Sequence, residues 1–133
     1  MSLGHRVLPS PPRVVIVDAD RRVMQSLADL LAVCGDLSVV GGAGDVRGAL
    51  ETVEETHPDV VLIDPRLPDI DAGIALVTGL TRARPGLRIV LTGWSDNGDT
   101  VGHGGGIDTT SYVSKSASPE EFATAIVEAC CPV

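Results

Sequence analysis

Four side chains of complementary chemistry close apolar runs in this 133-residue sequence. Asp18 follows Val14-Val15-Ile16-Val17, Asp64 ends Asp59-Val60-Val61-Leu62-Ile63-Asp64, Thr92 ends Arg88-Ile89-Val90-Leu91-Thr92, and Lys115 comes just after Ser111-Tyr112-Val113. Carboxylates with carbonyls and water suit Mg²⁺, which keeps several waters and takes few protein ligands. A carboxylate whose charge a metal offsets can attack phosphorus and become an aspartyl phosphate. A hydroxyl and an ammonium can then hold the phosphoryl oxygens. Taken singly, each residue has a plain structural explanation: a turn Asp, a strand-end Thr, a solvated lysine. Their joint position at the ends of four separate runs carries the functional reading.

The elements that must position them alternate regularly. Val14–Val17 reads as a buried strand. Residues 21–34 place Val23, Leu27, Leu30, Leu31 and Cys34 at helical spacing, with Gly35 as the stop. Leu37–Val40 is a second strand, and Asp45 can cap a helix carrying Val46, Ala49, Leu50 and Val53, which His57-Pro58 ends. The run 59–64 is apolar enough to be covered on both faces. A third helix over 72–83 presents Ile74, Val77 and Leu80; Pro85-Gly86 then turns the chain into the fourth strand. Residues 95–106, rich in Gly and Asp, predict a poor fourth helix. Ser111–Val113 is a weak fifth strand. Ser118-Pro119-Glu120-Glu121 has the signature of a capped start for a fifth helix carrying Phe122, Ile126, Val127 and Cys130. Alternation of strand and helix predicts an α/β fold with a doubly wound, five-stranded parallel sheet and helices on both faces. Such a sheet binds its ligands beyond the carboxyl ends of the strands, where the four residues lie.

Composition narrows the partners. Hydrophobic residues make up 44% and aromatics 2%, so a core of Val, Leu, Ile and Ala is expected. The formal charge of −8 argues against direct nucleic-acid binding, which needs a basic face. No apolar run is long enough to cross a bilayer, and no membrane association is expected. Residues 1–12 read as a flexible lead-in or a remnant of recombinant expression, 13–130 as the domain and 131–133 as a tail. Cys34, Cys130 and Cys131 lack metal-ligand spacing and read as reduced thiols of a cytoplasmic protein.

From Arg13 to Ala129 the sequence resembles the receiver domains of bacterial two-component response regulators. The resemblance rests on Val17-Asp18-Ala19-Asp20, Pro58-Asp59-Val60-Val61-Leu62-Ile63-Asp64, Asp64-Pro65-Arg66-Leu67-Pro68-Asp69-Ile70-Asp71, Val90-Leu91-Thr92-Gly93 and Tyr112-Val113-Ser114-Lys115. It implies a flavodoxin-like strand order 2-1-3-4-5. It implies that Asp64 is the phospho-acceptor, and that Asp18, Asp64 and the main-chain carbonyl of Arg66 hold Mg²⁺. Thr92 and Lys115 would contact the phosphoryl group, and Thr92 with Tyr112 would form the switch. A sensor histidine kinase would be the donor. A homodimer through the fourth helix, fifth strand and fifth helix is a further implied partner. The domain would be a signalling unit rather than an enzyme, catalysing at most its own phosphorylation and dephosphorylation. Leu37-Ser38-Val39-Val40-Gly41 and Ala117-Ser118-Pro119-Glu120-Glu121 are most similar to receivers linked to helix-turn-helix modules, which implies transcription regulation through an output domain outside this sequence.

The sequence also departs from that family. Ala19 stands where a second acidic residue is usual, which should weaken Mg²⁺ binding. Asp20 is a further candidate ligand, directly or through water, and equally the N-cap of the first helix; the sequence leaves both open. Ala72 replaces a usual Gly, although Gly73 follows, and Ser116 replaces a common Pro. Two other functions stay in view. One is a phosphorylation-independent receiver acting as a protein-interaction module. The other is a nucleotide-binding enzyme, suggested by Gly42-Ala43-Gly44 and Gly48 between a strand and a helix, with Asp64 about twenty residues on.

Overall fold

In the computed structural model, residues 11–34, 37–94 and 111–130 are described. The expectations for residues 1–10, the Cys34 side chain, Gly35, the glycine-rich stretch 95–106 and the tail 131–133 lie outside them. The strands are β1 (Arg13–Val17), β2 (Ser38–Ala43), β3 (Val60–Ile63), β4 (Arg88–Gly93) and β5 (Ser111–Ser114). The helices are α1 (Arg21–Cys34), α2 (Val46–Thr56), α3 (Ile70–Ala83) and a final helix, α4 (Pro119–Cys130). All strand pairs are parallel, in the order β2-β1-β3-β4-β5, as expected. The β1–β2 register slips once, Val14 facing Val39 and Val15 facing Gly41. Pro12 is buried and its carbonyl accepts from Ser38 N at 2.8 Å, so ordered pairing reaches one residue before β1.

The sheet is apolar on both faces because successive side chains point to opposite sides. Val15, Val17, Val61, Ile63, Ile89 and Leu91 pack with Ala49 and Val53 of α2 and Leu76, Val77 and Leu80 of α3. Val14, Ile16, Val60, Leu62 and Val90 pack with Leu27 and Leu31 of α1 and Phe122, Ala123 and Ile126 of α4. Two core expectations fail. Leu30 is 41% and Leu50 47% exposed. At about 100° per residue, Leu27 with Leu31 and Ala49 with Val53 fill the core-facing stripes, and these two leucines fall on the flanks. Leu30 and Val33 of α1 line an open groove of about 650 Å³ with Ala123 and Val127 of α4.

Helix starts follow their caps. Asp45 Oδ1 accepts from Gly48 N at 2.6 Å. Asp69 Oδ1 accepts from Ala72 N at 2.9 Å, which starts α3 two residues before the expected position. The capping box before α4 closes in both directions: Glu121 N donates to Ser118 Oγ and Ser118 N to Glu121 Oε1. Among the described residues, no helix is long and apolar enough to cross a membrane.

Candidate functional site

Strand register brings the expected residues to one rim. Val17 pairs with Ile63, and Ile63 with Leu91. Asp18, Asp64 and Thr92 are therefore the next residues on three adjacent strands, which run about 4.8 Å apart. Backbone bonds fix them in depth: Asp18 N donates to Ala43 O at 3.0 Å, Asp64 N to Val17 O at 2.9 Å, and Lys115 N to Gly93 O at 2.8 Å. Asp18, Asp64 and Thr92 are 2%, 8% and 1% exposed.

Both carboxylates have the same two-sided support. Asp18 Oδ1 accepts from Asp20 N at 2.8 Å, and Asp64 Oδ1 from Arg66 N at 3.0 Å. Each bond runs to the amide two residues on, an Asx turn that aims the carboxylate. Each Oδ2 meets the Lys115 ammonium, at 2.5 Å for Asp18 and 2.7 Å for Asp64. The contact to Asp64 has hydrogen-bond geometry. That to Asp18 is an ion pair without a well-aligned hydrogen bond. Lys115 is the only lysine in the sequence, the other nine basic residues being arginines. Burial lowers its pKa, but its bonds to Asp18 and Asp64 and their charges outweigh that and hold it above the ordinary lysine value.

Thr92 Oγ1 is buried and finds no hydrogen-bond partner among the described residues. A buried hydroxyl left unpaired costs about 1–3 kcal/mol, so an acceptor brought to this position would be favoured. Tyr112 is half-buried on β5, one level below, opposite Leu91. Its hydroxyl lies over Gly93, where an added Cβ would come within 3.1 Å of it.

Asp20 follows its capping alternative: it is exposed, and its Oδ1 accepts from Arg22 N at 2.9 Å. No cluster of three or more His, Cys, Asp or Glu suited to a metal occurs among the described residues. The glycines 42 and 44 do not open a phosphate cradle. Gly42 lies in β2, with Met24 Sδ 2.8 Å from where a Cβ would stand, and the N-terminus of α2 already receives the Asp45 carboxylate.

Two residues bear on this site: Trp94, which sequence reasoning did not single out, and Gly73, noted there only as the glycine that follows Ala72. Trp94 follows β4 and places its ring centroid 5.4 Å from Lys115 Nζ. Gly73 of α3 lies under the turn after Asp64; a Cβ there would stand 1.6 Å from Pro65 O. The signals available were a lone tryptophan two residues past the candidate threonine and a glycine inside an otherwise good helix.

The profile of the response regulator receiver domain matches residues 14–127. The chain is 40% identical over 86 residues to the DNA-binding transcriptional activator DevR/DosR of Mycobacterium tuberculosis, covering 64% of this chain and 39% of that protein. It is 32% identical over 109 residues to a protein-glutamate methylesterase/protein-glutamine glutaminase of Xanthomonas oryzae, covering 81% of this chain. It spans about 30% of the length of such methylesterase relatives. The signal receiver domain of the putative response regulator NarL from M. tuberculosis superposes with a TM-score of 0.78 at 25% identity, covering 94% of this chain and all of that one. A LuxR-family two-component response regulator from Aurantimonas sp. gives 0.76 at 26% identity, over 91% of this chain and 86% of that one. With that profile match and the same fold in these relatives, the chain belongs to the response regulator receiver domain family.

Proposed function

We propose that Asp64 accepts a phosphoryl group from a sensor histidine kinase in the cytoplasm and that the change is passed through Thr92 and Tyr112 to a protein-interaction surface. The observation that carries this reading is the Thr92 hydroxyl, buried beside Asp64 at the same strand level and without a hydrogen-bond partner among the described residues. An Asp64 oxygen forms the new bond to phosphorus, and the bond from phosphorus to the donor breaks with its electron pair leaving on the donor. The Lys115 ammonium, already on Asp64, offsets charge at the phosphoryl oxygens, and the Thr92 hydroxyl donates to one of them. Thr92 and Tyr112 sit on adjacent strands, so a turn of the threonine is felt at the tyrosine ring over Gly93. This is a two-state element biased by local charge.

The donor set suits Mg²⁺, though sparsely. The Oδ2 atoms of Asp18 and Asp64 already share one cation, the Lys115 ammonium, and Mg²⁺ is commonly held by one or two carboxylates with water. Asp18, Asp64 and the Arg66 carbonyl are the ligands we assign; Asp20 serves its helix instead. When bound, Mg²⁺ supplies the charge that lets an anionic carboxylate approach an anionic phosphoryl donor.

The relatives indicate where the signal goes. One is a DNA-binding transcriptional activator, and the activity of this chain's full protein is assigned by the same route: transcription regulation through an output module outside the sequence, with DNA contacted only there. A homodimer through the segment after β4, β5 and α4 is the accompanying partner.

Mg²⁺-dependent labelling with a small phosphodonor tests the assignment. Wild type is expected to label and Asp64→Asn not; label that persists in Asp64→Asn overturns it. A second reading, an interaction module that works without phosphorylation, is favoured by Ala19 together with the capping role of Asp20. It requires negligible Mg²⁺ affinity and little gain on Ala19→Asp. A large gain in labelling instead shows an active site attenuated by the missing carboxylate.

A further inference from the structure

Trp94 is the chain's only tryptophan and is 60% exposed. A large apolar ring left in water needs a reason, and burial in the core is not one. Its ring lies beside Lys115, whose side chain is only 3% exposed although it lies at the rim of the sheet. The separation of 5.4 Å from ammonium to ring centroid lies within cation–π range. The same ammonium touches the Oδ2 atoms of both Asp18 and Asp64. A divalent cation and the lysine therefore contend for the same two oxygens, and no third carboxylate at position 19 tips the balance toward the metal.

We propose that Trp94 is a positioning residue that roofs Lys115 and holds its ammonium across Asp18 and Asp64, restraining Mg²⁺ entry in the unmodified chain and keeping the ammonium aimed at the phosphoryl group once it is transferred. This deepens the phospho-acceptor reading above and rests on it. Its signature is a pair of effects of opposite sign. Loosening the roof makes the two carboxylates easier for Mg²⁺ to claim, yet leaves the ammonium less well placed for transfer. A merely structural loss would weaken both.

The test compares Trp94→Leu, which keeps bulk without an aromatic face, with Trp94→Tyr, which keeps the face. Calorimetric titration with Mg²⁺ alone should give a two- to fivefold tighter dissociation constant for Trp94→Leu, the range set by an exposed cation–π contact, and a value near wild type for Trp94→Tyr. Labelling by a small phosphodonor at saturating Mg²⁺ should be at least twofold slower in Trp94→Leu. Because lysine is unique here, lysine-selective isotope labelling reports one side chain by NMR in the metal-free protein. Its methylene signals should lose their ring-current shift in Trp94→Leu and keep it in Trp94→Tyr. Unchanged lysine signals, or no tightening of Mg²⁺ in Trp94→Leu, including no detectable binding to either protein, overturns the proposal. Failure of the phospho-acceptor reading shows differently, as wild type that does not label or Asp64→Asn that does.

Discussion

Gly73 offers the sharpest test of how the turn after Asp64, the proposed acceptor, is held. In α3 a β-carbon at this position would stand 1.6 Å from the Pro65 carbonyl oxygen, 2.4 Å from its carbon and 2.6 Å from its Cα. All three are backbone atoms, so no side chain can rotate away. Reaching ordinary contact near 3.5 Å requires the helix or the turn to move by roughly 2 Å. Overpacking of this kind costs about 3 kcal/mol, against a gain of about 1 kcal/mol for replacing helical glycine with alanine. Gly73→Ala should therefore lose about 2 kcal/mol. Gly79, in the same helix, has nothing within 4 Å of its added carbon, so Gly79→Ala should gain up to about 1 kcal/mol. At about 4 °C per kcal/mol for a domain of this size, the two variants should melt roughly 10 °C apart in a circular-dichroism scan, on either side of wild type. Pro65 links Asp64 to Arg66, whose amide aims the acceptor carboxylate at 3.0 Å, and misplacement by about 1 Å can cost on the order of 100-fold in rate. Phosphodonor labelling should accordingly fall at least tenfold in Gly73→Ala and stay unchanged in Gly79→Ala. A Gly73→Ala protein that melts with Gly79→Ala, or labels like it, refutes the close approach of α3 to the acceptor turn.

Asp20→Ala should cost about 1 kcal/mol in chemical denaturation, the usual worth of an N-cap, with Mg²⁺ affinity unchanged; a tenfold loss of affinity would return Asp20 to the ligand set. The pKa of Lys115 is raised in the folded chain, so its stabilisation is complete below the unfolded lysine pKa of about 10.4 and is lost as pH rises through the higher folded value. The urea midpoint of wild type should hold up to that pH and then drop, and Lys115→Met should lack this lysine-dependent drop. Phe122, 1% exposed between α4 and the sheet, should cost about 3–5 kcal/mol as Phe122→Ala, with Mg²⁺ affinity retained in the molecules that remain folded.

The fold was legible wherever a local rule and the tertiary demand agree. A run such as Val60–Ile63 that must be covered on both faces admits few other placements, and the capping box at Ser118 and Glu121 marks the start of α4 as closely in sequence as in space. Leu30 and Leu50 were misread because periodicity gives a stripe of limited angular precision, and which flank meets the sheet is set by how the helix lies on it. The candidate site was legible as four strand ends, because parallel register turns sequence position into spatial level. Its support was legible only in part. The cap by Asp20 was one of two readings the sequence left open, whereas the approach of α3 to Pro65 at Gly73 and the place of Trp94 beside Lys115 depend on packing distances that no spacing rule encodes.

The charge arrangement bears on how the proposed switch could work with one carboxylate fewer. Asp18 and Asp64 share one ammonium, leaving one net negative charge in the unmodified triad. Each carboxylate also spends its other oxygen on a turn amide, so every carboxylate oxygen of the triad has a hydrogen bond or an ion pair. A third acidic side chain at position 19 would have added a charge that only a bound metal could offset. With alanine there, the lysine can close the site by itself. Among the described residues of this rim, the Thr92 hydroxyl is the group left with neither a hydrogen bond nor an ion pair. Phosphorylation of Asp64 adds negative charge at that level, and the group with most to gain is therefore the threonine. In the proposed switch, its movement toward the phosphoryl group is passed to the Tyr112 ring, which lies across Gly93 on the adjoining strand.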